Sequence, residues 1–186
     1  MPFKQTKISG LLIFQPMVFE DSRGYFFESY NEKIFKQYGI DVQFVQDNES
    51  LSSYGVIRGL HFQLNPYAQI KLIRVIQGRI LDVAVDIRQG SPDYGKNISI
   101  ELSSDNKTQF FIPPGFAHGF SVLSESAIVL YKCDQFYNKE SEADILFNDP
   151  ALNIDWGIPA HKAIISEKDK QLPFFADCKN NFVFKE

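Results

Sequence analysis

The sequence contains few of the side chains that build disulfide frameworks and metal sites. Among 186 residues there are two cysteines, Cys133 and Cys178, and three histidines. A disulfide framework or a structural zinc site needs such ligands in clustered spacings, and the two cysteines stand far apart in the chain. We therefore expect two reduced thiols, which is usual for a cytoplasmic protein.

Long apolar runs and an excess of positive charge are also absent from the sequence. No run of about 18 apolar residues occurs, and the N-terminal residues contain no apolar segment typical of a secretion signal. Lys and Arg total 19 against 23 Asp and Glu, so the net charge is −4. A protein without a basic surface is a poor partner for phosphate backbones. The sequence therefore predicts neither a membrane span nor a nucleic-acid partner.

Aromatic residues, in contrast, are abundant and amount to 15% of the chain. These wide, stiff side chains favour pleated sheets over long helices. Glycine, proline and asparagine interrupt the middle of the sequence about every ten residues, a rhythm typical of β sandwiches and barrels. No repeat, linker or low-complexity tract divides the chain, so residues 1–186 are expected to form a single domain.

Two neighbouring strands are predicted where the residue pattern is clearest. Residues 81–88 alternate with period two, which predicts one face in the core and a second face, with its two aspartates, in water. Residues 71–76 are predicted to pair with them as a β-hairpin that turns at Gly78. Lys71 shares its face with apolar neighbours, and a cation on that side needs a polar cavity. Lys71 is thus the first indication of a site.

Helices are predicted at only two short segments. Residues 31–38 begin with the capping residue Asn31 and are followed by Gly39, a common helix terminator. A second short helix is predicted near residues 166–171, with Ser166 as its cap. The more polar residues after about position 138 are expected to wrap the barrel as loops and short helices.

Two of the histidines lie in segments that contain glycine. His118 belongs to PPGFAHGF, residues 113–120, and the spacing Pro-x-Gly-x-x-His resembles the second conserved box of the cupin superfamily of small β barrels. Metal-binding cupins carry a His-x-His pair in the first box, whereas Gln63 stands two residues after His61. One neutral imidazole is a poor basis for a divalent-metal site. We therefore expect no metal, which disfavours a metal-dependent cupin oxygenase.

Longer motifs extend along nearly the whole chain. They are DSRGYFFE (21–28), QDN (46–48), GVIRGLHFQ (55–63), DVAVDIR (82–88), PGFAHGF (114–120) and SEKD (166–169). In this order they resemble the dTDP-4-dehydrorhamnose 3,5-epimerase family. The resemblance implies a mainly β, cupin-type barrel, a double-stranded β-helix or jelly-roll, with a few short helices. It also implies a cofactor-free enzyme that takes dTDP-4-dehydro-6-deoxy-D-glucose and inverts C3 and C5 to give dTDP-4-dehydro-L-rhamnose.

The implied reaction explains why particular residue types are needed. C3 and C5 both lie next to the C4 ketone, so each proton can leave through an enolate if a base, an oxyanion stabiliser and an acid are present. By resemblance His61 is the base, and Asp169 is the carboxylate that orients it. Lys71 would hold the C4 oxygen, and Tyr131 would donate a proton on the opposite face of the sugar ring.

Further positions match the substrate contacts of the family. Arg23, Arg58 and Lys168 would bind the diphosphate and the sugar, since guanidinium groups suit bidentate phosphate binding. Tyr137 matches a ring that stacks on the substrate. The remaining matched contacts are Glu28, Gln46, Asp47, Asn48, His118 and Glu142. The departures from the family pattern, at Asn97 and at residues 110–112, fall outside these sets.

Two alternatives stay open, and a second copy of the chain is an expected partner. The same catalytic residues would serve an epimerase that acts at C3 or C5 alone, because that choice depends on how the ring turns in the pocket. A barrel that only binds the dTDP-sugar would leave the presence of those residues unexplained. By resemblance the protein is a homodimer in which an N-terminal segment reaches the neighbouring subunit, and residues 11–14 are the candidates for that segment.

Overall fold

Antiparallel strands dominate the computed structural model, which describes residues 2–185. In chain order the strands are β1 (Phe3–Gln5), β2 (Leu12–Phe14), β3 (Val18–Asp21), β4 (Gly24–Phe27), β5 (Gln46–Ser53), β6 (Ile57–Gln63), β7 (Lys71–Gln77), β8 (Arg79–Asp86), β9 (Asn97–Ser103), β10 (Gln109–Ile112), β11 (Phe116–Val122), β12 (Ser126–Cys133) and β13 (Glu142–Asp144). The α-helix α1 spans Glu32–Gln37, and short 3-10 helices span Lys139–Ser141, Ala160–Lys162, Asp169–Gln171 and Phe175–Asp177. No helix within residues 2–185 is long and apolar enough to cross a membrane.

Two large sheets face each other across the core. The six-stranded sheet has the order β1-β2-β10-β7-β12-β5, and the five-stranded sheet has the order β13-β6-β11-β8-β9. β3 and β4 pair separately as a two-stranded sheet. From β5 to β8, and again from β10 to β13, successive strands alternate between the two large sheets. This topology confirms the expected mainly β, cupin-type barrel with few short helices.

The passage from β7 to β8 shows how the chain changes sheet. The predicted β-hairpin is wrong, because β7 pairs with β10 and β12 whereas β8 pairs with β9 and β11. Gly78 lies between them with φ of +81°, and a Cβ there would lie 2.1 Å from the backbone oxygen of Ser126. The turn was therefore predicted at the right place. A glycine turn does not say whether the strands that it joins pair or separate.

The core between the large sheets consists of inward-pointing apolar side chains from both. Ile73 and Val129 of the six-stranded sheet pack in one cluster with Ile80 and Phe120 of the five-stranded sheet. Each such side chain contributes about 1.5–3 kcal/mol when it is fully buried. Lys71 lies two residues before Ile73 and therefore on the same face of β7, as the alternation predicted.

Further apolar clusters cover the outer faces of both sheets. Phe35 of α1 packs with Leu72 over the six-stranded sheet. The predicted first helix is confirmed, and the Asn31 side chain caps it by accepting a hydrogen bond from a backbone N–H. Trp156 and Phe182, from the C-terminal third, pack over the five-stranded sheet. The central strands of both sheets are thus covered on both faces.

The polar face of β8 differs from its predicted environment. Asp82 and Asp86 are fully buried, although the alternation indicated a solvent-exposed face. Asp82 accepts a hydrogen bond from His118 at 3.0 Å, and Asp86 pairs with Arg88 at 2.6 Å and accepts from the Ser91 hydroxyl at 2.7 Å. A buried carboxylate is tolerated only with such partners. Period two distinguishes two kinds of face, but it does not show that the polar one meets water.

The N-terminal residues 11–14 do not extend away from the barrel. Leu11 and Phe14 are buried, and β2 pairs with β1 and β10 of the same chain. Leu11 and Phe14 thus complete the core of their own barrel, whereas Leu12 and Ile13 are only half-buried. Contact of this segment with a second subunit stays a prediction. The exposed N-terminal element is instead the hairpin of β3 and β4.

Candidate active site

A cavity of about 630 Å³ lies between the two large sheets and opens to solvent. This volume is typical of a small-molecule site. Its walls are built by β5, β7 and β12 from one sheet, by β6, β11 and β13 from the other, and by residues 164–169. Most of the predicted site residues line it, namely His61, Lys71, Tyr131, Asp169, Gln46, Asn48, Arg58, His118, Tyr137, Glu142 and Lys168. Residues from distant parts of the chain thus meet in one place.

Two glycines bring the histidine-bearing strands unusually close together. Gly59 of β6 has φ of +136°, and a Cβ there would lie 2.5 Å from the Cα of Gly119 in β11. The register of β6 and β11 shifts at this point, after His118 has paired directly opposite His61. Any larger side chain would push the strands apart. The glycines beside the histidines therefore set the relative position of the two rings.

His61 lies between two carboxylates. Its Nδ1 is 2.5 Å from Asp144 Oδ1, and its Nε2 is 3.5 Å from Asp169 Oδ2. Asp144 lies directly opposite His61 in the β13–β6 ladder, so both side chains leave the sheet on one side. Asp169 begins a 3-10 helix, and the Ser166 hydroxyl accepts a hydrogen bond from its backbone N–H. The predicted second helix is thus present only as this shorter 3-10 helix. Its N-cap is Lys168 and not Ser166, which was predicted as the cap.

The carboxylates change the proton affinity of His61. Burial lowers the pKa of the ring, but the contacts with Asp144 and Asp169 outweigh burial and raise the pKa above its ordinary value of 6.5. Burial raises the pKa of Asp169, but His61, Ser166 and the backbone N–H of Gly59 together lower that pKa below its ordinary value. The site therefore favours the protonated form of His61 and the ionised form of Asp169, which is the state that this pair reaches after a base takes up a proton.

His118 forms a second histidine–aspartate pair on the same wall. Its Nε2 lies 3.0 Å from both carboxylate oxygens of Asp82. Both side chains are buried, and His118 also lines the cavity. The ring is therefore held in one orientation by a buried carboxylate of β8.

Lys71 and Tyr131 lie on the opposite wall, on the adjacent strands β7 and β12. The Lys71 Nζ is 6.0 Å from the centroid of the Tyr131 ring, and Tyr131 pairs opposite Ile73 in the ladder. Burial lowers the pKa of Lys71, although nearby acidic groups such as Asp82 oppose this effect. Burial likewise raises the pKa of Tyr131. Burial removes both groups from much of the solvent, and electrostatic interactions are stronger there than in bulk water.

Polar side chains of β5, together with Arg58 of β6, line another part of the cavity. The side chains of Gln46 and Asn48 line the cavity and are joined by a hydrogen bond of 3.0 Å. Arg58, from β6, donates from Nε to the Ser52 hydroxyl at 3.0 Å. These groups present amide and guanidinium donors, which suit oxygen-rich ligands.

Three charged and aromatic groups surround the entrance. Lys168 Nζ lies 2.9 Å from Glu142 Oε2 and 3.5 Å from Asp144 Oδ2. The Tyr137 hydroxyl lies 3.4 Å from the same Glu142 oxygen. The hydrogen bond to Glu142 is the main reason that the pKa of Lys168 is raised. An exposed ring and an exposed cation thus stand together at the mouth of the cavity.

Three predicted substrate contacts are not brought to this cavity. Asp47 points to the other face of β5 because side chains alternate, and it pairs with Lys132 at 3.0 Å. Arg23 lies in the β3–β4 hairpin, where its side chain is 88% exposed and pairs with Asp21. Glu28 follows the same hairpin and accepts a hydrogen bond from Asn31. Within one chain these three side chains therefore contact only protein neighbours outside the cavity.

Two carboxylates at the histidines were not identified from the sequence. Asp82 was assigned to a solvent-exposed face, and Asp144 lies in no recognised motif. A signal for Asp144 existed, because Glu142 was a candidate and a residue two positions later shares its face in any strand. No local signal indicated that β13 would pair with β6, since that contact joins residues about eighty positions apart.

The arrangement suits proton transfer at carbon next to a carbonyl. It combines an imidazole whose pKa is raised, a buried cation on the cavity wall, and a phenol on the wall opposite the imidazole. These groups supply a base, an oxyanion stabiliser and an acid. Within residues 2–185, no group of three or more His, Cys, Asp and Glu side chains is arranged to hold a metal ion.

Comparison with known proteins identifies the family. The dTDP-4-dehydrorhamnose 3,5-epimerase family pattern matches residues 5–177. The chain is 51% identical over 174 residues to the dTDP-4-dehydrorhamnose 3,5-epimerase of Shigella flexneri, covering 93% of this chain and 95% of that protein. It resembles the crystal structure of the dTDP-4-dehydrorhamnose 3,5-epimerase from Elizabethkingia anophelis NUHP1, with a TM-score of 0.90 and 54% identity, covering 94% of this chain and 96% of that one.

A third relative was solved with a sugar nucleotide. It is the dTDP-6-deoxy-D-glucose-3,5-epimerase from Legionella pneumophila Philadelphia 1, in complex with dTDP-4-keto-L-rhamnose. The similarity has a TM-score of 0.90 at 45% identity and covers 94% of this chain and 93% of that chain. Sequence pattern, relatives and three-dimensional structure agree along nearly the full length. The chain therefore belongs to the dTDP-4-dehydrorhamnose 3,5-epimerase family of isomerases.

Proposed function

We propose that this protein converts dTDP-4-dehydro-6-deoxy-D-glucose into dTDP-4-dehydro-L-rhamnose by inverting C3 and C5. The observation that carries the proposal is the position of His61, held between two carboxylates in the cavity that also contains Lys71 and Tyr131. Membership of the epimerase family supports the same substrate and product. The reaction belongs to dTDP-L-rhamnose biosynthesis.

The reaction begins with removal of a proton from carbon. His61 takes the proton from C3 or C5, the C–H electron pair moves towards C4, and the C4 oxygen becomes an enolate. Asp169 stabilises the imidazolium that forms, since its carboxylate lies beside Nε2. General-base catalysis of this type contributes about 10²–10⁴-fold in rate.

Lys71 and Tyr131 complete each inversion. The Lys71 ammonium stabilises the negative charge on the C4 oxygen, an interaction that gains strength because Lys71 is buried. Tyr131 then donates its hydroxyl proton to the carbon from the opposite face and regains a proton from solvent. The carbon has exchanged one proton for another, so the step needs no oxidant, reductant or cofactor.

The remaining cavity groups bind the nucleotide and the sugar of the substrate. Arg58 and Lys168 supply positive charge for the diphosphate, and the exposed Tyr137 ring suits stacking on the base. Gln46 and Asn48 offer hydrogen bonds from the β5 wall, and His118 contacts the sugar. Because the His118 ring is anchored by Asp82, it offers a fixed surface. The assignment rests on the positions of these side chains around one cavity.

In a homodimer, Arg23 and Glu28 could contact the substrate bound in the cavity of the second copy. Both lie on or beside an exposed hairpin, whose Phe19 and Phe26 side chains are 58% and 67% exposed. A second copy that covers these rings would remove apolar surface from water. The hairpin would then carry Arg23 to the cavity of the second copy. We propose a cytoplasmic location, which is supported by the free thiols of Cys133 and Cys178, since thiols stay reduced in that compartment.

Mixing two inactive variants tests the shared cavity. Arg23→Ala lacks the hairpin cation, and His61→Ala lacks the base. If Arg23 serves the cavity of the second copy, a mixed dimer contains one complete cavity, and activity returns after the variants are unfolded and refolded together. Mixtures that stay as inactive as each variant alone would show that Arg23 does not act across subunits. Light scattering establishes the mass of each sample.

Deuterium incorporation tests the reaction itself. The protein is incubated with dTDP-4-dehydro-6-deoxy-D-glucose in D₂O, and NMR locates the label. Label at both C3 and C5 is the expected result. Label at one carbon alone identifies a single-position epimerase, and no label despite measurable nucleotide binding identifies a dTDP-sugar binding protein.

A further inference from the structure

Asp144 makes the shorter of the two carboxylate contacts of His61, yet it has no role in the reaction described above. Its Oδ1 lies 2.5 Å from Nδ1, whereas Asp169 Oδ2 lies 3.5 Å from Nε2. The first distance is that of a charge-assisted hydrogen bond, and the second is longer than a hydrogen bond usually allows. Asp144 therefore holds the ring more directly than Asp169 does.

The backbone around Asp144 keeps this contact in place. Asp144 lies directly opposite His61 in the antiparallel β13–β6 ladder, and its side chain is only 10% exposed. The next residue, Ile145, is fully buried and extends the pairing by exchanging backbone hydrogen bonds with Leu60. Asp169, in contrast, begins a short 3-10 helix in the C-terminal segment. Of the two carboxylates, Asp144 is the one fixed to the same sheet as the base.

The chemistry of the contact determines which ring nitrogen carries the proton. An ionised carboxylate can only accept hydrogen bonds, so Nδ1 of His61 must be the donor. A neutral imidazole protonated on Nδ1 has its free electron pair on Nε2. Nε2 is then the atom that removes a proton from carbon.

Lys168 does not compete strongly for Asp144. Its Nζ is 3.5 Å from Asp144 Oδ2 but 2.9 Å from Glu142, and its side chain is 55% exposed. Solvent screens an ion pair of this kind, and the lysine lies closer to Glu142 than to Asp144. The other Asp144 oxygen stays available for His61.

We propose that Asp144 is the positioning residue of the base: it keeps the proton of neutral His61 on Nδ1 and so leaves Nε2 free to remove the substrate proton. Asp169 then has a separate task, which is to stabilise the imidazolium after proton uptake. This inference rests on the proposed function, in which His61 is the base.

The test compares Asp144→Asn with the wild type in two measurements. The substitution keeps the size of the side chain and removes its charge. We expect kcat to fall by about 10²–10⁴-fold, with KM for the dTDP-sugar nearly unchanged. We also expect ¹⁵N NMR of labelled histidine to show neutral wild-type His61 protonated on Nδ1, and a loss of this preference in the variant. Signals are assigned with His61→Gln and His161→Gln.

Asp149→Asn is the matched control. Asp149 is also buried and accepts hydrogen bonds from the backbone N–H groups of Ala151 and Phe175, but it does not line the cavity. Its substitution should lower the Tm and leave kcat and the His61 tautomer unchanged. A loss of kcat in this control equal to that of Asp144→Asn would assign the Asp144 effect to general destabilisation and overturn the inference.

Two further outcomes contradict the inference. One is a neutral wild-type His61 protonated on Nε2, a measurement that does not depend on whether the variant folds. The other is a kcat of Asp144→Asn within about threefold of the wild type, which is far below the expected loss. Deuterium incorporation separates the failures. If the wild type incorporates label and Asp144→Asn does so equally, only the role of Asp144 is lost, whereas a wild type without label overturns the proposed function as well.

Discussion

The two walls of the cavity differ in whether their ionisable side chains are paired with other side chains of the protein. On the five-stranded sheet, His61 and His118 are each held by a buried or nearly buried aspartate of a neighbouring strand. On the six-stranded sheet, the Lys71 ammonium and the Tyr131 hydroxyl have no hydrogen bond or ion pair to any side chain among residues 2–185. Both face the cavity. Burial lowers the pKa of Lys71 and raises the pKa of Tyr131, so in each case it favours the neutral form.

This difference matches what each wall has to do in the proposed reaction. A base must keep one tautomer and one orientation, and paired carboxylates supply both at the cost of fixing the ring. A group that binds a developing oxyanion or donates a proton must instead keep its hydrogen-bonding capacity for the substrate. On the five-stranded sheet, which we call the paired wall, the protein itself fixes the histidines before substrate binds. On the six-stranded sheet, the unpaired wall, Lys71 and Tyr131 form their hydrogen bonds only with the substrate.

Removal of the base on the paired wall should have the largest effect. His61→Ala should abolish deuterium incorporation and lower turnover by about 10²–10⁴-fold or more, because no other imidazole in the cavity is free to replace it. NMR in D₂O and a product assay measure both quantities. Turnover above a tenth of the wild-type value would show that His61 is not the base.

Removal of the cation on the unpaired wall should lower activity without lowering thermal stability. Lys71→Met keeps the length of the side chain and should lower kcat by about 10²–10³-fold, since one oxyanion contact is lost. The Tm should stay equal or rise, because a buried cation without a partner costs free energy. A variant that loses activity and Tm together would mean that Lys71 is instead needed for the fold.

Tyr131→Phe should allow proton removal from carbon but prevent protonation from the opposite face. The base and the oxyanion contact remain, so protons at C3 or C5 can still exchange with solvent, while donation from the opposite face is lost. We expect deuterium in recovered substrate and little inverted product. NMR distinguishes the two, and unchanged formation of inverted product would exclude Tyr131 as the acid.

The pH profile should report the raised pKa of His61. A base works only when it is unprotonated, so kcat/KM should fall on the acid side with a midpoint above 6.5. The free energy of unfolding should change in the opposite direction. The contacts of protonated His61 contribute fully to it below about pH 6.5, and this contribution is lost as pH rises through the folded-state pKa of His61. Asp169→Asn should lower the midpoint of kcat/KM, because a charge that raises the pKa is removed.

Asp47→Asn should have the smallest effect. Its exposed pair with Lys132 lies on the outer face of β5 and is worth about 0–1 kcal/mol. We expect KM, kcat and Tm close to those of the wild type, in contrast to Asn48→Ala, whose amide lines the cavity. A clear increase of KM in Asp47→Asn would mean that this face of β5 also contacts substrate.

Local patterns predicted local features well. The cap at Asn31, the period-two alternation of β8 and the inward face of Lys71 all depend on residues within a few positions of one another. The hairpin of β7 and β8 and the solvent-exposed face of β8 were predicted wrongly. In both cases the missing information was the identity of the neighbouring strand, which no short window contains.

The sequence by itself determined the mainly β class, the short first helix, the family and most of the residues that surround the cavity. Only the tertiary structure decided that Asp144 pairs with His61, that Asp82 is buried against His118, and that Arg23 and Asp47 lie away from the cavity of their own chain. The physical reason is that propensity and alternation act through nearest neighbours, whereas strand pairing joins residues far apart in the chain. Strand pairing also decides which polar groups are buried together, and that pairing sets their charge and orientation.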